Sequence, residues 1–203
     1  MRRAFLKRAF AALCMTGLGA CAAVDEGFRE LPNGEVREAP RDYSIAAFDV
    51  LAPRTLEVSE ANLYYPIADI VWRGDPFGDR YEQIEAIFDA AGEAVAAELD
   101  GERPVRVTVQ VTRFHSVTEK ARVMVGGVHS MRFFLTVYDV GSDEPVEGPR
   151  LVIADLPALG GTAALRAERE GQTMKVRVLE QLRLVLLREL TEPAPLPVPM
   201  ASR

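Results

Sequence analysis

Thiols and imidazoles are scarce in this chain of 203 residues: Cys14 and Cys21 near the start, His115 and His129 in the second half. His115 and His129 flank the loop between two strands expected to pair, which could bring them close to one another. A metal would need further ligands in fixed geometry, such as Glu119 or Asp139. We expect none, because two polar strand-end histidines account for the pattern. Asp139, Asp143 and Glu144 form a second polar group, but Gly141 and Pro145 around them fit a turn. General acid–base work needs a pocket that shifts proton affinities, and nothing in the sequence points to one. Ser-x-x-Lys, Gly-x-Ser-x-Gly, His-Glu-x-x-His, a Walker loop and Cys-x-x-Cys are all missing. With no nucleophile–base pair to name, the expectation is a protein that is not an enzyme and that uses no cofactor or metal.

The sharper chemistry lies at Leu18-Gly19-Ala20-Cys21. Arg2, Arg3, Lys7 and Arg8 make a basic start, and Ala9 to Leu18 is a short apolar run. That order is a secretory signal, too short to span a bilayer of ~30 Å. A cysteine directly after Leu-Gly-Ala resembles a bacterial lipobox, in which the chain is cut before Cys21 and lipid is attached to its sulfur. Arg2-Arg3-Ala4-Phe5-Leu6-Lys7 is also similar to a twin-arginine export motif without its leading Ser or Thr, so two export routes stay open. Cleavage removes Cys14, leaving Cys21 as the one cysteine and no intrachain disulfide. It also removes four of the 24 basic side chains and none of the 30 acids, for a mature charge of about −10. So acidic a surface excludes nucleic acid, whose binding depends on phosphate neutralisation. It also gives no polybasic hold on anionic lipid. Acyl chains must then supply the anchor, at ~0.8 kcal/mol per buried CH₂.

The elements behind this leader follow from periodicity. Residues 1–20 are the signal, 21–42 a flexible tether of roughly 25 Å, 43–190 one domain, and 191–203 a tail expected to be disordered. Pro193, Pro195, Pro197 and Pro199 forbid helix in that tail. Tyr43 to Leu51 reads as a strand, with shorter extended pieces at Leu56–Val58 and Ile67–Trp72. Asp79 to Leu99 reads as a helix, because Tyr81, Ile84, Ile87, Phe88, Ala91, Val95 and Leu99 recur at spacings of three and four. Val105, Val107, Val109 and Val111 alternate with polar residues in a half-buried strand. Ser130 to Val140 and Pro149 to Leu156 supply two more strands, and a closing helix runs from about Glu168 to Leu190 after the Gly160-Gly161 break. The predicted fold class is α+β: a mixed, mostly antiparallel sheet in β-α-β-β-β-α order, with two long helices on one face. Nine acids against one base in Asp75–Glu102, and six bases against three acids in Arg166–Arg188, favour placing those helices side by side.

Two surfaces are candidates for binding. The closing helix has a main apolar stripe and a second patch at Val176, Leu184 and Leu187. Either the short N-terminal segments, including Leu63 and Ile67, cover that patch or a partner protein or lipid does. The sheet face away from the helices presents Arg106, Thr108, Gln110 and Thr112 beside Arg132, Phe134, Thr136 and Tyr138. Polar side chains mixed with aromatics suit solvent or a partner.

Val58-Ser59-Glu60-Ala61-Asn62, Ala68-Asp69-Ile70-Val71-Trp72-Arg73-Gly74-Asp75-Pro76 and Gly126-Gly127-Val128-His129-Ser130 resemble a group of small uncharacterised alphaproteobacterial lipoproteins over residues 43 to 190. More loosely, anchor and element order look like auxiliary lipoproteins of envelope transport systems. The first resemblance implies no activity, and the second rests on architecture alone. The expected role is a non-enzymatic, lipid-anchored accessory or scaffolding protein in outer-membrane assembly or transport, with an envelope protein as partner. The alternative is a module binding a small amphipathic or lipid ligand between helices and sheet. Ala22-Ala23 after the cysteine lacks the aspartate of an inner-membrane retention signal, so the periplasmic face of the outer membrane is the expected location.

Overall fold

A computed structural model describes residues 29–30, 36–37, 41–141 and 145–193. It divides into Met1–Ala39 and Pro40–Arg203. In the first unit β1 (Arg29–Glu30) pairs antiparallel with β2 (Val36–Arg37). The leader, the lipobox residues Leu18 to Cys21 and most of the expected tether lie outside the described residues. So do Asp143 and Glu144 and positions 194–203 of the tail.

The second unit is α+β, with a mixed six-stranded sheet and four helices. Its spine is a pair of 13-residue antiparallel strands, β5 (Arg103–His115) and β6 (Gly127–Asp139). Two strands follow one another along the outer side of β5, both parallel to it: β3 (Tyr43–Leu51) and β4 (Ile70–Val71). Two more follow along the outer side of β6, both antiparallel: β7 (Pro145–Ile153) and β8 (Leu156–Ala158). The parallel return from β3 to β5 passes through α1 (Arg80–Ala96), as strand geometry requires for a crossover.

Alternation decides which face is buried. Val105, Val107, Val109 and Val111 of β5 and Met131, Phe133, Leu135 and Val137 of β6 are all almost inaccessible. They form one core with Ile84, Ile87, Phe88, Ala91 and Val95 of α1 and Val178, Leu182, Val185, Leu186 and Leu190 of α4 (Met174–Thr191). Trp72, Phe88, Phe114 and Phe133 interlock edge to face, with centroids 5.1 to 6.1 Å apart. Asp79 caps α1, its carboxylate accepting from the backbone N–H of Tyr81 and Glu82.

Several boundaries differ from the periodic reading. The closing helix is two: α3 (Gly161–Arg169), then α4, whose start is capped by the Thr173 hydroxyl. A six-residue helix, α2 (Glu119–Met124), occupies what reads as a loop, started by the Thr118 side chain accepting from Ala121 N–H. Gly126 is left-handed (φ 72°), and a Cβ there would lie 2.4 Å from the Ala158 carbonyl oxygen, so α2 can leave close against β8 only through a glycine. Arg41, assigned to the tether, is built into the domain. Its guanidinium holds Glu147 at 2.6 and 2.7 Å and donates to the carbonyls of Glu189 and Glu192 at the end of α4.

The two long helices pack side by side, and opposite charges meet between them. The ion pairs that tie α4 to α1 and its leading loop are Lys175–Asp75 (2.7 Å) and Arg183–Glu98 (2.5 Å). Glu85 instead accepts from Ala52 N–H, on the other flank of α1. Among the described residues no helix is long and apolar enough to cross a membrane.

Candidate functional site

The strand register assembles the predicted sheet face. Asp49 stands opposite Thr108 and Thr108 opposite Thr136; Leu51 lies opposite Gln110, and Gln110 opposite Phe134. Arg106 pairs with Tyr138 across the central strands, its guanidinium 4.7 Å from the ring centre and 3.8 Å from the Asp49 carboxylate. A cation over an aromatic face beside a carboxylate is held in direction as well as in charge. Arg106, Thr108, Gln110, Phe134 and Tyr138 thus line one open concavity of about 570 Å³, closed at one side by Pro145 and Pro149. Phe134 continues across to Leu151, and Arg132 to Ile153. Leu51, Phe134, Leu151 and Ile153 are each 40–54 % exposed, so this face carries apolar area that no described residue covers. Nothing here is a nucleophile with a base. The arrangement offers stacking, hydrogen bonding and one oriented cation.

The second predicted surface is only partly assembled. Val176 and Leu184 of α4 are exposed, whereas Leu187 leans half-buried on the main core. Leu63 and Ile67 do not cover the patch, for both are themselves exposed. Their loop is fastened elsewhere: Thr118 donates to the Leu63 carbonyl, and the Asn62 side chain accepts from Lys120 N–H.

The histidines do not form a common site. His115 is buried, donates from Nε2 to the Pro66 carbonyl at 2.9 Å and stacks on Tyr65. His129 faces a different space, a cavity of about 20 Å³ between α2, α3, the start of α4 and its own strand β6, and its buried Nδ1 has no partner among the described residues. Burial, with Arg177 nearby, pushes its pKa down to about 4. Glu119 is ion-paired to Arg73 and Asp139 to Arg103. Among the described residues no group of three or more His, Cys, Asp or Glu could hold a metal ion.

One constellation escaped the sequence reading. Arg80, 5 % exposed, donates to Glu60 at 2.7 Å, to Gln83 at 2.7 Å and to the Pro76 carbonyl, while Arg73 shares the same Glu60. Hydrogen bonding from Arg80 holds the Glu60 carboxyl below its ordinary range. Next to it, buried Trp72 donates its indole N–H to Asp75 at 2.8 Å, and Lys175 takes the other oxygen. Burial raises the Asp75 pKa, but the hydrogen bonds from Lys175 and Trp72 outweigh it, and the net direction is down. With Glu119 also on Arg73, three carboxylates face three cations. They pin the 52–79 segment to α1 and α4. The available clue was that Arg80 is the lone base in the acid-rich stretch from Asp75 to Glu102.

No curated protein and no solved structure matches the chain. A family does match, across the whole second unit from its first long strand into the proline-rich end. The chain belongs to the Family of unknown function (DUF6778), which covers residues 43–202.

Proposed function

We propose that this protein is a non-enzymatic lipoprotein of an alphaproteobacterial cell envelope, anchored through acylated Cys21 to the periplasmic face of the outer membrane. There it serves as an accessory or scaffolding subunit that holds an envelope protein involved in assembly or transport. The observation that carries the accessory role is the contrast between the two sides of the sheet. Between helices and sheet, large side chains such as Phe88, Phe114, Phe133 and Leu186 are almost wholly buried and occupy the place where an amphipathic ligand would sit. On the other side Leu51, Phe134, Leu151 and Ile153 remain exposed around an oriented arginine. Apolar area displayed on a rigid sheet, rather than enclosed in a cavity, suits a macromolecular partner. The lipid anchor rests on Leu18-Gly19-Ala20-Cys21 and the basic, then apolar, leader.

Two measurements test this. Mass spectrometry of the protein from its native host should find Cys21 as the new N-terminus, with fatty chains on its sulfur; an intact leader or a free thiol sinks the anchor. Affinity capture from gently solubilised envelopes should return a reproducible membrane-protein complex that weakens in Phe134→Ala. Recovery of the lone protein with bound lipid refutes the accessory role.

A further inference from the structure

The sheet has two outer edges, β3 and β7, and they are built differently. Strand β7 carries Pro145, Pro149 and Arg150, and its pairing with β6 is twice out of register. Those are the devices that stop a further strand from adding. Strand β3 has none of them beyond one irregularity at Ala46, which has no partner on β5. Its nine residues, Tyr43 to Leu51, include no proline and no basic side chain, and their one charge is Asp49. At ~3.3 Å per residue it presents roughly 30 Å of edge. No described strand pairs with its outer side.

Beside that edge runs a trough of about 310 Å³ between β3 and α1. Gly92 forms its floor, where the helix comes so close to the strand that a Cβ would lie 2.5 Å from the Phe48 ring. Asp89 and Glu93 form its wall, both exposed and neither ion-paired among the described residues. The Asp89 carboxyl is raised, first by burial and then by its like-charged neighbours Glu85, Glu93 and Asp49.

We propose that the outer edge of β3 accepts an extended segment of a partner protein as an added strand, with Lys or Arg side chains turned towards α1 to meet Asp89 and Glu93. This deepens the accessory reading, on which it rests, by naming the docking mode and the partner's charge. A second copy is the poorer occupant. Two-fold pairing of β3 with itself would lay the acidic flanks of two α1 helices against each other, and like charges facing across an interface are repulsive.

The test uses full-length protein in detergent micelles and a short fluorescent peptide alternating Lys and Val, with the Glu–Val peptide as control. The Lys peptide should bind and the Glu peptide should not. Asp89→Lys with Glu93→Lys should weaken binding by about tenfold or more, and Ala46→Pro should do the same without changing charge. The proline result separates strand addition from attraction of opposite charge. Equal binding by the charge-reversed protein, or no binding by the wild type, overturns the proposal. So does self-association in sedimentation velocity that Ala46→Pro abolishes. In native envelopes, a photoreactive residue at position 47 should crosslink to a partner segment with alternating basic residues. Adducts at position 134 but none at 47 overturn the edge site and leave the accessory reading standing; none at either position removes both.

Discussion

Removing the His129 imidazole should make this domain markedly less sensitive to mild acid. The ring is 2 % exposed, its Nδ1 has no partner among the described residues, and Arg122, Glu168 and Arg177 are the charged groups lining the same cavity. Burial and Arg177 lower its pKa from 6.5 to about 4. The folded state therefore holds the ring neutral, while the unfolded chain takes up a proton as soon as pH falls below about 6.5. Protons bind preferentially to the unfolded state between those two values, so stability falls with pH across that window and levels off below it. That lowering corresponds to about 3 kcal/mol in total, most of which has been lost by pH 4.5. His129→Leu keeps the volume and removes both the titration and the unsatisfied nitrogen, so at pH 7.5 it should be neutral or slightly stabilising. Urea unfolding of both proteins at steps from pH 7.5 to 4.5 gives the comparison. Carboxylates such as Glu60 and Asp75 titrate at lower pH and are common to both chains, so they cancel in the difference. Parallel stability curves would show that the buried ring carries no penalty and would refute the reasoning.

Three further substitutions probe the polar framework and the strand edge. Glu60→Ala leaves the buried guanidiniums of Arg73 and Arg80 without their shared carboxylate, at a cost of about 2 kcal/mol once the partial exposure of Glu60 is discounted; chemical denaturation reads the loss, and a change under about 0.5 kcal/mol counts against the clamp. Arg41→Ala should cost about 2–3 kcal/mol, because Glu147 keeps only Arg150 and Tyr43 as partners. Hydrogen exchange should then quicken at the start of β3 and the end of α4 together, and faster exchange at one alone would deny the link. Gly92→Ala gains helix propensity of ~1 kcal/mol but drives a methyl into the Phe48 ring. The net loss should be about 1 kcal/mol, and Phe48→Leu should rescue it; additive effects of the two substitutions would contradict the contact.

Alternating valines and phenylalanines made β5 and β6 legible, and the same alternation placed Arg106, Thr108, Gln110, Phe134 and Tyr138 on a shared face before any register was known. The stripe from Ile84 to Val95 did the same for α1. Short elements were less legible, because two or three residues carry no period: β4 falls inside the extended piece read at Ile67–Trp72, but its parallel pairing with β5 could not be read, and β8 exists only through its pairing with β6. Helix α2 has one turn and a half, and its start depends on the Thr118 hydroxyl and on the Asn62 side chain from a distant loop. Residues Glu168 to Leu190 read as one helix because their apolar spacing barely breaks, yet Gly171 at φ 77° and the Thr173 cap divide them. The Glu60–Arg73–Arg80 clamp joins residues 13 to 20 positions apart in an irregular loop, where charge gives no hint of pairing.

The guanidinium of Arg41 grips the chain where it enters the domain and also where it leaves α4. Both junctions are thereby riveted at one pole, at the opposite end of the strands from α2 and the exposed Tyr64, Tyr65 and Ile67. Tension on the chain at Arg41, directed along the strand, would load β3 lengthwise against the whole ladder to β5 instead of peeling it away one bond at a time.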